Sequence, residues 1–285
     1  MSSTHIIDGK ARAAAVRADI ARDIAALRAA GGPTPGLVLI QVGDNATSAG
    51  HIARKHRQAE AAGIAVHDIR LPAETGQVEL LSLIARLNHD PAVHAILVQL
   101  PLPAGFDADT VLTAIHPDKD VDGLHPENLG RLAGGTAGLV PCTPLGCLHL
   151  IQSVQPAWPG LRAVVLGRSR LVGMPMALLL VNAGASVTVL HSASTDEPAI
   201  CRDADILVSA VGKPGLVRGD WVKPGAIVID VGQSEQGGAW VGDVAFDEVA
   251  PVAGAITPVP GGVGPMTIAM LLSNTLTACR RQIVR

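Results

Sequence analysis

Polar side chains occur at several places where a folded chain could use them for chemistry. Lys55 follows His51 by four residues on a predicted helix, so the two side chains share one face. Gln99 ends a predicted buried strand, and Asp122 lies in the turn-forming segment 118–123. Side chains of these types can transfer protons or hold a polar ligand. Each also has an ordinary explanation, as a solvated lysine, an amide that bonds its own loop or a turn aspartate.

A glycine-containing segment, residues 162–175, is a second candidate. Residues 163–166 are apolar, as in a parallel strand that is covered on both faces. Gly167 permits a tight turn, and Gly173 and Pro175 stand where a helix should begin. A helix N-terminus directly after a strand suits a phosphate or pyrophosphate. The glycine spacing differs from the G-x-G-x-x-G fingerprint, so an ordinary strand–helix turn remains an equal alternative for this segment alone.

Two sets of alternating strands and helices must position these residues. In the first set, strands are predicted at 36–42, 64–71 and 94–99. Helices are predicted at 11–30, from a cap at Thr47 or Ser48 to residue 62, and at 79–88. In the second, strands are predicted at 163–166, 186–190, 205–208 and 226–230, with a helix at 174–183. This second alternation predicts a Rossmann-like sheet. The Pro- and Gly-rich segment 117–146 marks a domain boundary, and a last helix is predicted at 266–281.

Ligands in open α/β sheets bind beyond the carboxyl ends of the strands. The turn at Gly43, Gln99 and the loop 120–123 all fall at such ends in the first set. We therefore expect these three features to line one cleft.

Composition excludes several classes of function. The chain has 285 residues, of which 48% are hydrophobic and 16% charged, and its net charge of −3 argues against nucleic acid as the main partner. The four cysteines form no C-x-x-C pair, which argues against a metal or redox site and favours a reducing cytoplasm. The N-terminal sequence lacks the pattern of a secretory signal, and no apolar run is long enough to span a bilayer.

The motifs taken together resemble the bifunctional methylenetetrahydrofolate dehydrogenase/methenyltetrahydrofolate cyclohydrolase family. They occur in order over nearly the whole chain: VGDN…S…K at 42–55, VQLPLP at 98–103, DKDVDG at 118–123, PCTPLG at 141–146, GRSRLVGMP at 167–175, the GKPG and KPGAIVIDVG runs within 212–232, GDV at 242–244 and TPVPGGVGPMT at 257–267. Several of these segments are long and specific.

The resemblance implies an α/β fold with two domains. A folate-binding catalytic domain would comprise residues 1–122 and 264–285, so that the last helix returns to it, and a Rossmann-like NADP-binding domain would comprise residues 141–258. The implied partners are tetrahydrofolate one-carbon derivatives, and the implied assembly is a cytoplasmic homodimer.

The resemblance also implies roles for individual residues. The catalytic set is Lys55 as the proton-transfer residue of the hydrolytic half, Gln99 as the side chain that positions it, and Asp122 on the polar edge of the pterin. His51 would pack against the folate, and the loop containing Pro260, Gly261 and Gly262 would close over it. Hydride transfer itself needs mainly two rings held face to face.

The cofactor is predicted to be NADP. Enzymes that prefer NAD usually place an acidic residue at the end of the second strand, whereas this chain has His191 and Ser192 there. Arg168 and Ser192 could hold a 2′-phosphate instead. The predicted cofactor-binding residues are Gly167, Arg168, Ser169, Gly173, Ser192 and Gln233.

Two departures from the family pattern leave alternatives open. His51 stands where the family usually has tyrosine, and Gln233 and Ser234 stand where an apolar residue near an arginine is common. Imidazole is smaller than phenol and titrates near neutrality, so one alternative is a dehydrogenase with weak or absent cyclohydrolase activity. The other is a folate- or nucleotide-binding paralogue without turnover.

Overall fold

The protein was analysed as a computed structural model that describes residues 4–283, and it divides into two compact units. The Lys55 unit comprises Ala15–Cys142 and the chain from Ile268 onward. The Gly167 unit comprises the chain up to Ala14 and Thr143–Thr267. No helix among residues 4–283 has both the length and the apolar character needed to cross a membrane.

The elements alternate between strand and helix over most of the chain. The strands are β1 (His5–Ile6), β2 (Gly36–Val42), β3 (Ala65–Leu71), β4 (Ala95–Val98), β5 (Arg162–Leu166), β6 (Ser186–Leu190), β7 (Ile206–Ser209), β8 (Ile227–Asp230), β9 (Ser234–Gln236), β10 (Ala239–Val241) and β11 (Ala255–Ile256). The helices are α1 (Gly9–Ala29), α2 (Ala46–Ala61), α3 (Gln77–His89), α4 (Ala108–Ala114), α5 (Pro126–Ala133), α6 (Cys142–Val154), α7 (Gly173–Asn182), α8 (Glu197–Cys201), α9 (Phe246–Val249) and α10 (Val263–Ile283), with a 3₁₀ turn at Gly219–Trp221.

The Lys55 unit is built on a three-stranded parallel sheet in the order β3-β2-β4. The central strand β2 is buried along its whole length, which explains why its sequence is continuously apolar rather than alternating. In the register, Ile40 of β2 lies opposite Val98 of β4, so the carboxyl ends of the two strands coincide. Helices α2 and α3 connect the strands, and Leu80 and Ile84 of α3 pack into the same core as Ile40 and Val98.

The Gly167 unit is built on a six-stranded sheet in the order β1-β11-β8-β7-β5-β6, and all of its neighbouring strands are parallel. The chain runs from β5 outward to β6 and then back to β7 on the other side of β5. This reversal is the topological switch point at which open α/β sheets bind ligands. A separate antiparallel pair, β9 and β10, is joined by Gly237 and Gly238.

The structure differs from the expected domain division at the N-terminus. Residues 1–122 were expected to lie together, but β1 pairs in parallel with β11 at the edge of the six-stranded sheet. The His5 amide donates to Gly254 O at 2.9 Å, and the Ile7 amide donates to Ile256 O at 2.8 Å. Two-residue strands are too short to show a period in the sequence, so neither β1 nor β11 could be predicted from periodicity.

The Pro- and Gly-rich segment 117–146, predicted as a domain boundary, contains regular structure. Helix α5 begins at Pro126, where proline is tolerated because a first-turn N–H has no helical partner. The side chain of His125 caps this helix by accepting from the Glu127 amide at 3.1 Å. Helix α10 likewise begins at Val263, three residues before the predicted start, and takes Gly264 and Pro265 into its first turn.

Candidate functional site

The structure brings Lys55 and Gln99 into direct contact, although they lie 44 residues apart. Lys55 Nζ donates a hydrogen bond of 3.0 Å to Gln99 Oε1. Gln99 Nε2 donates to the Leu100 carbonyl at 2.6 Å, and the backbone N–H of Gln99 donates to Ile40 O at 2.8 Å. Because the side-chain nitrogen Nε2 is hydrogen-bonded to the Leu100 carbonyl, the side-chain oxygen Oε1 faces the lysine. Gln99 therefore orients Lys55 by accepting its hydrogen.

The turn between β2 and α2 sets the direction of the helix that carries Lys55. Asn45 caps this helix, with its Oδ1 accepting from the Ser48 amide at 2.9 Å. The buried Gln41 side chain donates to Gly43 O at 3.0 Å and fixes the preceding turn. The predicted caps, Thr47 and Ser48, were wrong, because the asparagine reaches the free helix amide from a position outside the first turn.

His51 lies one helical turn before Lys55, and its side chain is exposed. The pKa of His51 is lowered, mainly by partial desolvation and then by the positive charges of Lys55 and Arg54. The imidazole is consequently neutral at pH 7.

The turn that carries Asp122 is fixed to strand β4, which ends next to Gln99. The Ile96 amide donates to Lys119 O at 2.8 Å, and Ile96 forms an isolated parallel bridge with Asp120. The Gly123 amide closes the turn on Asp120 O at 3.0 Å. Asp122 itself is half-buried in this turn, so its carboxylate is held near the edge of the sheet while remaining accessible.

The carboxylate of Asp120 braces the turn from inside. It is buried and accepts from the His125 amide at 2.8 Å and from Asn128 Nδ2 at 2.9 Å. Burial raises the pKa of Asp120, and the nearby charge of Asp122 adds to this effect. Asp120 therefore has a structural role, whereas Asp122 is the accessible carboxylate of the pair.

Cys142 is a site residue that the sequence reasoning did not single out, although it stands in the quoted PCTPLG motif. Its buried thiol donates to Val121 O at 3.2 Å. Burial raises the pKa of Cys142 well above its usual value; the negative charge of Asp122 raises it further, and the positive charge of Lys55 opposes both. The Val121 carbonyl that accepts from this thiol directly precedes Asp122, so Cys142 lies beside the Asp122 turn.

In the Gly167 unit, a cavity of about 380 Å³ opens at the carboxyl ends of β5 and β6. Four of the predicted cofactor residues line it, namely Gly167, Arg168, Ser169 and Ser192. Lys213 and Glu197 also line this cavity, and the sequence analysis had missed both. Only the structure shows that they lie at this cavity, because Glu197 is in the segment between β6 and β7 and Lys213 is in the segment between β7 and β8.

The first turn after β5 requires glycine at two positions. Gly167 has φ +106°, and a Cβ built on it would lie 2.3 Å from Ala210 O. A Cβ on Gly173 would lie 2.1 Å from Gly167 O. Both distances are far below van der Waals contact, so the glycines allow α7 to start directly against the turn.

The start of α7 is already capped from within the chain. Ser169 Oγ accepts from the Val172 amide at 3.2 Å and from the Gly173 amide at 3.4 Å. Both hydrogen bonds are long, and the hydroxyl is exposed. A phosphate at this helix terminus would therefore meet the Ser169 hydroxyl together with the N–H groups expected from the sequence.

Asp230 holds the loop that follows β8. Its Oδ1 accepts from the amides of Gly232 and Asp243, each at 2.9 Å, and its Oδ2 accepts from the Val244 amide at 2.9 Å. Burial is the main cause that raises the pKa of Asp230 to about 6, and the charge of Asp243 contributes. One carboxylate thus joins the exit of β8 to the GDV motif.

Asp243 extends this support to the cavity. Its Oδ2 accepts from Ser209 Oγ at 3.1 Å and from the amides of Val211 and Gly212 at 2.8 and 3.3 Å. Val211 is one of the residues that line the cavity. The GDV motif was noticed in the sequence, but no pattern there indicated that its aspartate would be buried beneath another loop.

The remaining predicted residues lie on loops of the same unit. Gln233 is exposed between β8 and β9 and is not among the residues that line the cavity. Pro260 is exposed, Gly261 has φ +111°, and the Gly262 amide donates to Pro258 O at 2.8 Å. The loop containing Pro260, Gly261 and Gly262 is therefore an ordered turn between β11 and α10.

Comparisons with known proteins agree with this arrangement. The catalytic domain of tetrahydrofolate dehydrogenase/cyclohydrolase matches residues 7–122, and the NAD(P)-binding domain of the same family matches residues 141–283. Bifunctional protein FolD 2 of Paracoccus denitrificans is 57% identical over 280 residues, which cover 97% of this chain and 93% of the relative.

Solved structures give the same result. The bifunctional enzyme FolD of Campylobacter jejuni superposes with a TM-score of 0.96 at 44% identity, covering 98% of this chain and 99% of that one. The enzyme of Trypanosoma brucei, complexed with NADP cofactor and inhibitor, has a TM-score of 0.94 at 42% identity over the full length of both chains. These matches confirm the predicted α/β architecture with two domains. Because the family models together span most of both units and contain nearly all of the quoted motifs, the chain belongs to the tetrahydrofolate dehydrogenase/cyclohydrolase family.

Proposed function

We propose that Lys55, Gln99 and Asp122 form the folate site of this chain and that Lys55 carries the proton of the hydrolytic step. The chain is a methylenetetrahydrofolate dehydrogenase and methenyltetrahydrofolate cyclohydrolase that uses NADP. It oxidises 5,10-methylenetetrahydrofolate to 5,10-methenyltetrahydrofolate and hydrolyses the product to 10-formyltetrahydrofolate. The hydrogen bond of 3.0 Å between Lys55 and Gln99 is the observation that carries the assignment of these residues.

In the hydrolytic step, water adds to the methenyl carbon, one ring C–N bond opens, and one proton is released. The Gln99 oxygen accepts one hydrogen from Lys55 Nζ and thereby fixes its direction. A neutral amine held in this direction can take the proton from the attacking water and pass it on. The half-buried carboxylate of Asp122 can accept hydrogen bonds from the N–H groups on the polar edge of the pterin.

In the oxidative step, NADP supplies the hydride acceptor when it is bound, and the chain holds the two rings in position. The cavity lined by Gly167, Arg168, Ser169 and Ser192 fits this group because it combines backbone, a hydroxyl and a guanidinium at a strand–helix turn. Lys213 adds a second cation to the lining, against one carboxylate, Glu197. Arg168, Ser192 and Lys213 are suited to a 2′-phosphate, which supports NADP over NAD.

We further propose that Gly173 and Gln233 contribute to cofactor binding, and that Pro260, Gly261 and Gly262 cover the folate. Gly173 supports the cavity by allowing the close approach of α7 to Gly167. The Lys55 unit would then be the folate-binding domain and the Gly167 unit the NADP-binding domain. The family models name both dehydrogenase and cyclohydrolase, and the curated relatives are called bifunctional, which favours both activities over a dehydrogenase alone or a binding protein without turnover.

His51 is proposed to pack on the pterin in place of the usual tyrosine. Its lowered pKa keeps the ring uncharged at neutral pH, which suits stacking on a ligand that becomes cationic as the methenyl intermediate. Protonation at lower pH would add a positive charge beside Lys55 and that intermediate. His51 would then limit activity on the acid side.

Purified protein with 5,10-methylenetetrahydrofolate and NADP tests these assignments when the nicotinamide and methenyl absorbances are recorded together. We expect NADPH to appear while the methenyl signal stays low, and NADP to be preferred over NAD. Methenyl that accumulates with NADPH would mean that His51 impairs the hydrolytic half. Tight binding without any NADPH would favour the paralogue without turnover.

The assembly and the compartment are proposed to be a homodimer and the cytoplasm. The four cysteines are all free and buried, which agrees with a reducing compartment. Light scattering on the purified protein would give twice the chain mass of 29.2 kDa if the dimer is correct.

A further inference from the structure

Asn274 is a buried amide on helix α10 that is bonded to two segments of the Lys55 unit. Its side-chain nitrogen donates to Val121 O at 2.8 Å and to Val140 O at 2.8 Å. The same nitrogen lies 3.6 Å from Cys142 Sγ. Only 5% of Asn274 is exposed, so these contacts are made away from water.

The orientation of the Asn274 amide follows from its partners. Both partners at 2.8 Å are carbonyl oxygens, which can only accept, so the NH₂ group must face them. Its two hydrogens are then fully used, one for each carbonyl. A carboxylate at this position would place negative charge against both oxygens, and an apolar side chain would leave them without this donor.

The two carbonyls flank the site residues of the Lys55 unit. Val121 directly precedes Asp122, and Val140 lies two residues before Cys142. The Val121 oxygen accepts from both Asn274 and the Cys142 thiol, and a thiol is a weak donor. Without Asn274, the peptide before Asp122 would therefore be held on this side mainly by the thiol.

We propose that Asn274 is a positioning residue that sets the direction of the Asp122 carboxylate from the last helix of the chain. The inference rests on the proposed folate role of Asp122. It assigns a function in substrate binding to a residue that does not touch the substrate. It also gives the part of the last helix from Ile268 onward, which belongs to the Lys55 unit, a role in substrate binding.

The test compares Asn274→Ala with Thr275→Val. Thr275 is the next residue on the same helix, is fully buried, and donates through Oγ1 to Leu271 O at 2.8 Å within its own helix. Both variants remove a buried hydrogen bond, but only Asn274→Ala releases the Val121 carbonyl. For Asn274→Ala we expect the KM for 5,10-methylenetetrahydrofolate to rise about tenfold, which corresponds to ~1.4 kcal/mol of lost binding free energy.

The NADP dissociation constant should stay within about twofold in both variants, because the hydrogen-bond partners described for Asn274 all lie in the Lys55 unit. In an Asp122→Asn background, Asn274→Ala should add little to the KM, since both changes act on one interaction. If Asn274→Ala folds poorly, Asn274→Ser, which keeps one donor, should give an intermediate KM.

A KM equal to that of Thr275→Val, or fully additive effects with Asp122→Asn, would overturn the proposal while leaving the folate site intact. Loss of both activities in the unaltered protein would instead count against the proposed function. The two failures are therefore distinguishable.

Discussion

The Lys55 unit and the Gly167 unit prepare their ligand sites by different means. In the Lys55 unit the reactive groups are side chains from separate elements, with Lys55 on α2 and Gln99 after β4 held together by a hydrogen bond of 3.0 Å. In the Gly167 unit the ligand would meet a turn in which backbone approaches backbone so closely that a Cβ on Gly173 would lie 2.1 Å from Gly167 O.

The supports of the two sites differ in the same way. A neutral amide, Asn274, holds the turn before Asp122, whereas two buried carboxylates, Asp230 and Asp243, hold the loops around the cavity. Side-chain chemistry can be removed with little effect on packing, but a close backbone approach cannot be altered without moving a helix. We therefore expect substitutions in the Lys55 unit to affect rate and those in the Gly167 unit to affect stability and cofactor binding.

The largest expected effect comes from replacing Lys55 by methionine, which keeps the length of the side chain and removes the amine. Hydrolysis of methenyltetrahydrofolate should slow by about 10²–10⁴-fold, because that is the usual contribution of a positioned acid or base. The unfolding temperature and the NADP dissociation constant should barely change. Arg57→Met, an exposed change on the same helix, is the matched control and should keep the full rate. Equal rates in the two variants would remove Lys55 from the mechanism.

Gly173→Ala tests the opposite prediction for the Gly167 unit. The added methyl group collides with backbone, so the free energy of unfolding should fall by about 1–3 kcal/mol and NADP should bind more weakly. Gly130→Ala on α5 serves as the control because a Cβ there meets no atom within 4 Å, and alanine favours a helix. Denaturant unfolding of both variants measures the difference. A Gly173→Ala variant as stable as Gly130→Ala would show that α7 can shift without cost.

Asp230→Asn should change how the stability of the Gly167 unit depends on pH, because it replaces a buried carboxylate that supports the loops of this unit. The pKa of Asp230 is about 6 in the folded protein against 3.8 for a free group, so the folded state holds this proton more tightly. Protonation of Asp230 therefore adds to the free energy of unfolding, and this contribution is complete below the pKa of the unfolded state. It is lost as the pH rises through the pKa of the folded state, and the free energy of unfolding falls by up to about 3 kcal/mol.

The asparagine variant lacks this titration, so its stability relative to the unaltered protein should improve between about pH 4 and pH 7. Urea unfolding across this range measures the change. Asp247→Asn, at an exposed position of α9, gives the background for removing one carboxylate. A difference between Asp230→Asn and the unaltered protein that does not vary with pH would contradict the buried, titrating carboxylate.

The smallest effect is expected for His51→Tyr in the Lys55 unit. Since the pKa of His51 is lowered, the cyclohydrolase rate of the unaltered protein should begin to fall only when the pH is below 6.5, as the ring gains a proton. Tyrosine stays neutral there, so the variant should keep its rate to lower pH. The pH profile of methenyl hydrolysis decides the matter, and an unchanged acid limb in the variant would rule out the charge effect.

Much of the fold could be predicted because the central strands are continuous apolar runs. Strands β2 and β6 have the predicted bounds, and β3, β4, β5, β7 and β8 differ from prediction by one residue at one or both ends. The short edge strands β1 and β11 could not be found, since two residues carry no period. The chain up to Ala14 groups with the Gly167 unit, whereas the sequence predicted residues 1–122 as parts of one domain.

The same distinction between local patterns and long-range contacts applies to the candidate site. The sequence by itself predicted the family and the reaction, and it singled out Lys55, Gln99, Asp122 and the Gly167 turn as candidates, because their motifs are contiguous and can be seen in a linear chain. Only the tertiary structure decided how they are held. The bond between Lys55 and Gln99, the clamp of Asn274 on Val121 O, and the reach of Asp243 to the Val211 amide each join residues more than 30 positions apart. Such contacts depend on strand register and helix placement, which local sequence patterns do not encode.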